Sequence, residues 1–126
     1  VELDVSGPNW LFELDLERLL AYVPSRLFFT ELPRFPAVVR DVAVVVEGDF
    51  ASDRVVRFVR ERGDELVEAI VLFDQYSGPP IPPGRKSLAY SISYRASDRT
   101  LTDEEVNRVH GALMTALSRE LPVERR

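Results

Sequence analysis

Apolar positions recur with two different periods along this chain, and the switches between them outline an architecture. Val38 to Val46 is a run of β-formers that predicts a strand, with Val42, Val44 and Val46 on one side and Asp41, Ala43 and Val45 on the other. From Ser52 to about Arg62 the spacing becomes helical. Val55, Val56, Phe58 and Val59 make an apolar stripe, Ser52 stands at the N-cap, and Gly63 offers a left-handed stop. Ala69–Tyr76 predicts a second strand. Ser77–Gly84 holds four prolines and two glycines, which predicts a stiff hairpin loop. Lys86–Arg95 predicts a third strand, with Leu88, Tyr90, Ile92 and Tyr94 opposed to Ser87, Ala89, Ser91, Ser93 and Arg95. Thr102 and Glu105 spell a capping box, and Val106, Val109, Leu113 and Leu117 line the helix behind it. Pro122 ends that helix before a short strand, Val123–Arg126.

The order is therefore β-α-β-β-α-β. Two helices on one face of an antiparallel sheet leave the other face open. The bulky sets belong to the helix side, so the open face carries Ala, Ser and Val. A flat sheet of small side chains lets a splayed base lie on it, as single-stranded RNA is usually read. Equally, Ser and Ala are what a solvent-facing sheet tolerates. If Ile70 and Leu72 point inward, Phe73 shares the open face with Val71 and Gln75. It either stacks a base or is covered by the N-terminal segment or a neighbouring domain. One aromatic is fewer than an RNA-stacking platform usually shows, which favours the packed reading.

Residues 1–31 read differently. Trp10–Leu16 alternates like a half-buried strand, Glu17–Tyr22 fits a helical turn, and Pro24, Pro33 and Pro36 frame an extended connector. The chain starts with Val, which suggests a piece of a longer one, and it shows no signal-peptide pattern. No run of 18 apolar residues is present, so no transmembrane helix is expected. The absence of Cys excludes disulfides, thiolate metal sites and a Cys nucleophile.

Net charge is −5, which argues against a nucleic-acid partner until its distribution is considered. Residues 1–32 hold two basic against six acidic residues, whereas 33–126 hold 14 against 15. Arg85, Lys86, Arg95 and Arg99 stand against Asp98 alone in residues 85–99, a candidate basic patch for phosphates. Arg40 and Asp41 read as an ion pair with each other or as phosphate and base readers. Arg85 and Lys86 at the hairpin mouth read as phosphate contacts or as solvated loop charges. His110, at helical spacing among Val106, Leu113 and Met114, reads as a partly buried neutral histidine. Asp103, Glu104 and Glu105 read as helix capping before a metal site. The acidic loop Glu47-Gly48-Asp49-Phe50 would repel a phosphate, and no Gly-rich phosphate loop precedes a helix. No catalytic set emerges.

Four blocks then agree in order and spacing: Pro33–Val46, Leu72–Gly78, Gly84–Tyr90 and Arg99–Val106. Together they resemble the C-terminal anticodon-binding domain of the bacterial phenylalanyl-tRNA synthetase β subunit, over about Leu32 to Arg126. The resemblance implies an α+β fold, a ferredoxin-like βαββαβ sandwich with a four-stranded antiparallel sheet and two helices on one face. It divides the chain into 1–31, the tail of a preceding catalytic-like module, and 32–126, the anticodon-binding domain. It implies a non-catalytic module that binds the anticodon stem-loop of tRNA-Phe within phenylalanine–tRNA ligase. The whole enzyme would be a cytoplasmic tetramer of two α and two β subunits, with ATP and Mg²⁺ used at an aminoacylation site in the α subunit. This domain would hold no cofactor, metal or membrane contact. The positions expected to meet tRNA are Arg40, Asp41, Phe73, Arg85, Lys86, Ser87, Ala89, Ser91 and Arg95. The competing class is a ferredoxin-like small-molecule regulatory or dimerisation module, and a docking domain without a ligand is a third.

Overall fold

A computed structural model describes residues 7–23 and 32–125. The chain divides into two units, Val1–Leu32 and Pro33–Arg126. In the first, the helix α1 (Leu16–Leu20) is capped by Asp15, whose side chain accepts from the Arg18 amide. The strand expected over Trp10–Leu16 does not form: residues 10–15 are irregular, and Trp10 is 87% exposed. Alternation alone cannot hold a strand whose backbone groups find no neighbouring ladder among the described residues. Pro24 and the residues around it lie outside the described residues.

The second unit contains β1 (Val38–Glu47), α2 (Asp53–Arg62), β2 (Val67–Tyr76), β3 (Arg85–Tyr94), α3 (Asp103–Glu120) and β4 (Glu124–Arg125). The sheet order is β2-β3-β1-β4 and every pairing is antiparallel, which makes a ferredoxin-like α+β sandwich. Val42 faces Tyr90 and Val44 faces Leu88 across the β1–β3 ladder. These residues, with Val46, Ile92 and Tyr94, are buried in one core with Val55, Phe58 and Val59 of α2 and Val106, Leu113, Met114 and Leu117 of α3. Fully burying such a side chain stabilises the fold by roughly 1.5–3 kcal/mol, so parity on the two central strands decides which face the helices cover. The Tyr90 hydroxyl is accommodated in that core by donating to the Ser52 carbonyl at 3.0 Å.

The capping box forms as expected, with the Glu105 amide donating to Thr102 and the Thr102 amide to Glu105. Two helix-end expectations do not hold. Ser52 has helical backbone angles and makes no side-chain cap bond. Gly63 is extended, at φ −62° and ψ 145°, rather than left-handed. Glycine is required there by crowding: a Cβ would lie 2.4 Å from the Val59 carbonyl oxygen and 3.1 Å from the Val67 side chain. The final strand is shorter than expected. Val123 enters the core and Arg126 lies outside the described residues.

Candidate nucleic-acid interface

The face away from the helices is built in rows across β2, β3 and β1. Tyr76, Ser87 and Val45 form one row, Asp74, Ala89 and Ala43 the next, and Val71, Ser91 and Asp41 a third. Ala43, Ala89 and Ser91 keep the middle low, while Asp41, Asp74, Val71 and Tyr76 at its margins are exposed.

Edge strand β2 departs from regular parity. Leu72 pairs with Tyr90 and Asp74 with Ala89, so Phe73 is the extra residue of a β-bulge. The bulge overturns the expectation that Gln75 shares the open face. Gln75 lies opposite core-facing Leu88, and Asp74 and Tyr76 take the open positions. Phe73 is not packed away: it is 57% exposed, and Tyr76 three residues on is 46% exposed. The Tyr76 hydroxyl donates to the Pro79 carbonyl at 3.0 Å, which ties the ring to the proline loop. Tyr76 and Asp74 were not among the expected site residues. Strict alternation hides them, and only the aromatic three residues beyond Phe73 hinted at a second platform.

Asp41, Arg85, Ser87, Ala89 and Ser91 share the open face. Ser87 is buried there between Val45 and Tyr76, rather than lying open. Arg40 and Lys86 fall on the helix-bearing face, because neighbours along a strand point to opposite sides. That geometry rules out the Arg40–Asp41 ion pair. Arg40 instead donates to Asp103 at 2.5 Å and to Asn107 at 3.2 Å, binding β1 to the first turns of α3. It also splits the Arg85–Lys86 cluster. The Lys86 ammonium forms no hydrogen bond or ion pair with another described residue.

The expected basic patch is largely cancelled. Arg85 contacts Glu124 at 3.0 Å and Glu47 at 3.4 Å. The hydrogen bond to Glu124 raises the Arg85 pKa, and Arg85 pulls the Glu124 carboxyl below its ordinary value. Arg95 holds Glu68 at 2.8 Å and also donates to the Phe35 carbonyl, pinning the connector to the end of the sheet. Arg99 pairs with Asp98 and Glu105. Apart from Asp98, these partners come from other strands and from helix α3, which a count over residues 85–99 omits.

His110 is engaged with Tyr94 and is not poised as a base. Among the described residues, no group of three or more Asp, Glu or His could hold a metal ion, and no helix is long and apolar enough to cross a membrane.

Comparison with known proteins agrees with this frame. Residues 33–126 match the family model described as the ferredoxin-fold anticodon binding domain. The chain is 48% identical over 91% of its length to the phenylalanine–tRNA ligase β subunit of Anaeromyxobacter dehalogenans, covering 14% of that protein. It is 50% identical over 87% of its length to the β subunit of Moorella thermoacetica, covering 14%. For the Clostridium tetani β subunit the identity is 39% over 98% of this chain and 16% of the relative. The chain thus spans a small part of the length of the relatives it matches.

Proposed function

The chain belongs to the ferredoxin-fold anticodon-binding domain family, and on that premise we propose that it recognises the anticodon stem-loop of tRNA-Phe as a non-catalytic module of a phenylalanine–tRNA ligase β subunit. One observation carries the reading: exposed Phe73 and Tyr76 bracket Asp74 on the edge strand, beside a floor of Ala43, Ala89 and Ser91. Aromatic faces supply sequence-tolerant stacking, and each stacked base is worth about 1–3 kcal/mol. Polar groups beside them, Asp74, Ser91 and Asp41, can accept from or donate to base edges. The exposed Asp41 and Asp74 carboxylates repel phosphate, so bases rather than backbone suit the middle of the face.

The rest of the proposal extends the family resemblance to the whole enzyme. The whole enzyme would be a cytoplasmic tetramer of two α and two β subunits, using ATP and Mg²⁺ at a distant site in the α subunit. Residues 1–31 would be the tail of the preceding module, and 32–126 the binding domain. Of the expected contacts, Phe73, Ser87, Ala89, Ser91 and Asp41 belong to the face, joined by Tyr76 and Asp74. Arg40 and Arg95 serve the fold, and Arg85 and Lys86 lie at the margin.

With most bordering cations paired, the isolated chain should bind tRNA weakly. Titration with tRNA-Phe and with the same tRNA carrying an altered anticodon tests the reading. Tighter binding of the matched anticodon is expected; equal binding of both would refute it.

A further inference from the structure

Four arginines around the sheet are occupied by carboxylates, Arg40 by Asp103, Arg95 by Glu68, Arg99 by Asp98 and Glu105, and Arg85 by Glu47 and Glu124. Solvent-screened pairs of this kind contribute little to folding. Their larger effect is to cancel charge. Arg85 is where that bears on recognition, because it lies on the open face two residues from Ser87, whose row includes Tyr76.

The Arg85 fork is only partly used. One terminal nitrogen donates to Glu124 at 3.0 Å and the other reaches the Val45 carbonyl at 3.5 Å. Nε is buried without a hydrogen bond, 3.4 Å from Glu47. Each terminal nitrogen keeps a second N–H beyond those bonds, and a planar guanidinium with free terminal donors fits phosphate oxygens well. A phosphate arriving there would meet two carboxylates already in place, and like charges at that distance repel.

We propose that Glu47 and Glu124 mask Arg85 and so suppress sequence-independent binding of phosphate backbones to the open face. Phosphate contacts position a nucleic acid without reading its sequence. An unmasked arginine would therefore strengthen the hold on every RNA, and a cell contains far more non-matching RNA than matching. What counts for selection is discrimination weighted by the abundance of competitors. Specificity built partly from groups that oppose the wrong partner is a general solution to this problem. The inference rests on the tRNA reading for its ligand, but the mask itself is measurable with any polyanion.

The test uses the 126-residue chain carrying Glu47→Gln and Glu124→Gln. Retention on immobilised heparin is measured, and a noncognate tRNA is titrated between about 50 and about 200 mM salt. Later elution from heparin and several-fold tighter noncognate binding at low salt are expected. The salt slope should steepen by about 0.7–0.9, one phosphate, so the gain shrinks roughly threefold across that range. Adding Arg85→Met should remove the gain. A control variant, Glu61→Gln with Glu104→Gln, removes the same charge from the exposed surface of the helices, where neither glutamate pairs with a described residue. Melting curves establish that each variant is folded. Should the double variant not fold, Glu47→Gln alone leaves the Glu124 bond intact and carries the same comparison. The proposal is overturned by a folded variant without gain, by an equal gain in the helix control, or by a gain that survives Arg85→Met. A wild-type chain that cannot tell matched from altered anticodons would strike the proposed function instead, and leave the heparin result to judge the mask.

Discussion

The Tyr94 hydroxyl meets Nδ1 of His110 at 2.9 Å and joins the buried side of β3 to α3. Burial pushes the Tyr94 pKa up to about 12, so the phenol keeps its proton across the physiological range. Burial first, and then Arg125 and Arg40, lower the His110 pKa below its ordinary value. In the unfolded chain the imidazole titrates near 6.5. As pH falls through that value the unfolded state takes up a proton that the native state resists, so stability is complete above about pH 6.5 and declines below it. Melting temperatures between about pH 8 and pH 5 should show this decline, and His110→Gln should flatten it. A wild-type profile no steeper than the variant's would contradict the assignment.

Exposure of Phe73 and Tyr76 separates stability from binding. Phe73→Ala should leave the melting temperature nearly unchanged, whereas a core phenylalanine costs about 3–5 kcal/mol on truncation. Its cost to tRNA affinity should be about 1–3 kcal/mol. Tyr76→Phe keeps the ring and loses only the bond to Pro79, so it should bind nearly as the parent does. Tyr76→Ala should weaken binding as Phe73→Ala does. Full-strength tRNA binding by a Phe73→Ala, Tyr76→Ala double variant would remove both from the interface.

Gly63→Ala distinguishes crowding from backbone conformation. At an extended φ of −62° alanine is unstrained, so a purely conformational role predicts no loss. The 2.4 Å approach to the Val59 carbonyl predicts instead a loss of about 1–3 kcal/mol, in the range of overpacking. Chemical denaturation of the variant measures which applies.

Thr102→Ala removes half of the capping box on α3 and should cost about 1 kcal/mol. The Thr102 amide, followed by Arg99, holds the Glu105 carboxyl at about 2. A carboxylate depressed in the native state adds stability above its unfolded value near 4.5 and loses it as pH falls toward 2. Glu105→Gln should therefore be less acid-sensitive than the parent; parallel acid-denaturation curves would contradict this.

How much of this could be read before the fold was known depends on the range of each interaction. Helix–sheet layering followed from Val42, Val44 and Val46 against Leu88, Tyr90, Ile92 and Tyr94, because the two faces of β1 and β3 differ in bulk and neither strand is irregular. The Thr102–Glu105 box was legible because both partners lie within one turn. Strand alternation misplaced Gln75 because a bulge is a property of a ladder: whether Phe73 is skipped depends on what β3 offers opposite it.

The sequence by itself therefore determined the order of strands and helices, the face the core would take and the family, all of which rest on short-range periodicity and local blocks. Only the tertiary structure decided which charges remain free. Arg85 meets Glu124 and Arg40 meets Asp103 across wide sequence gaps, so a run counted as basic in the chain is close to neutral in the folded domain. Coulombic partners are chosen by distance in space, which the spacing along the backbone does not specify.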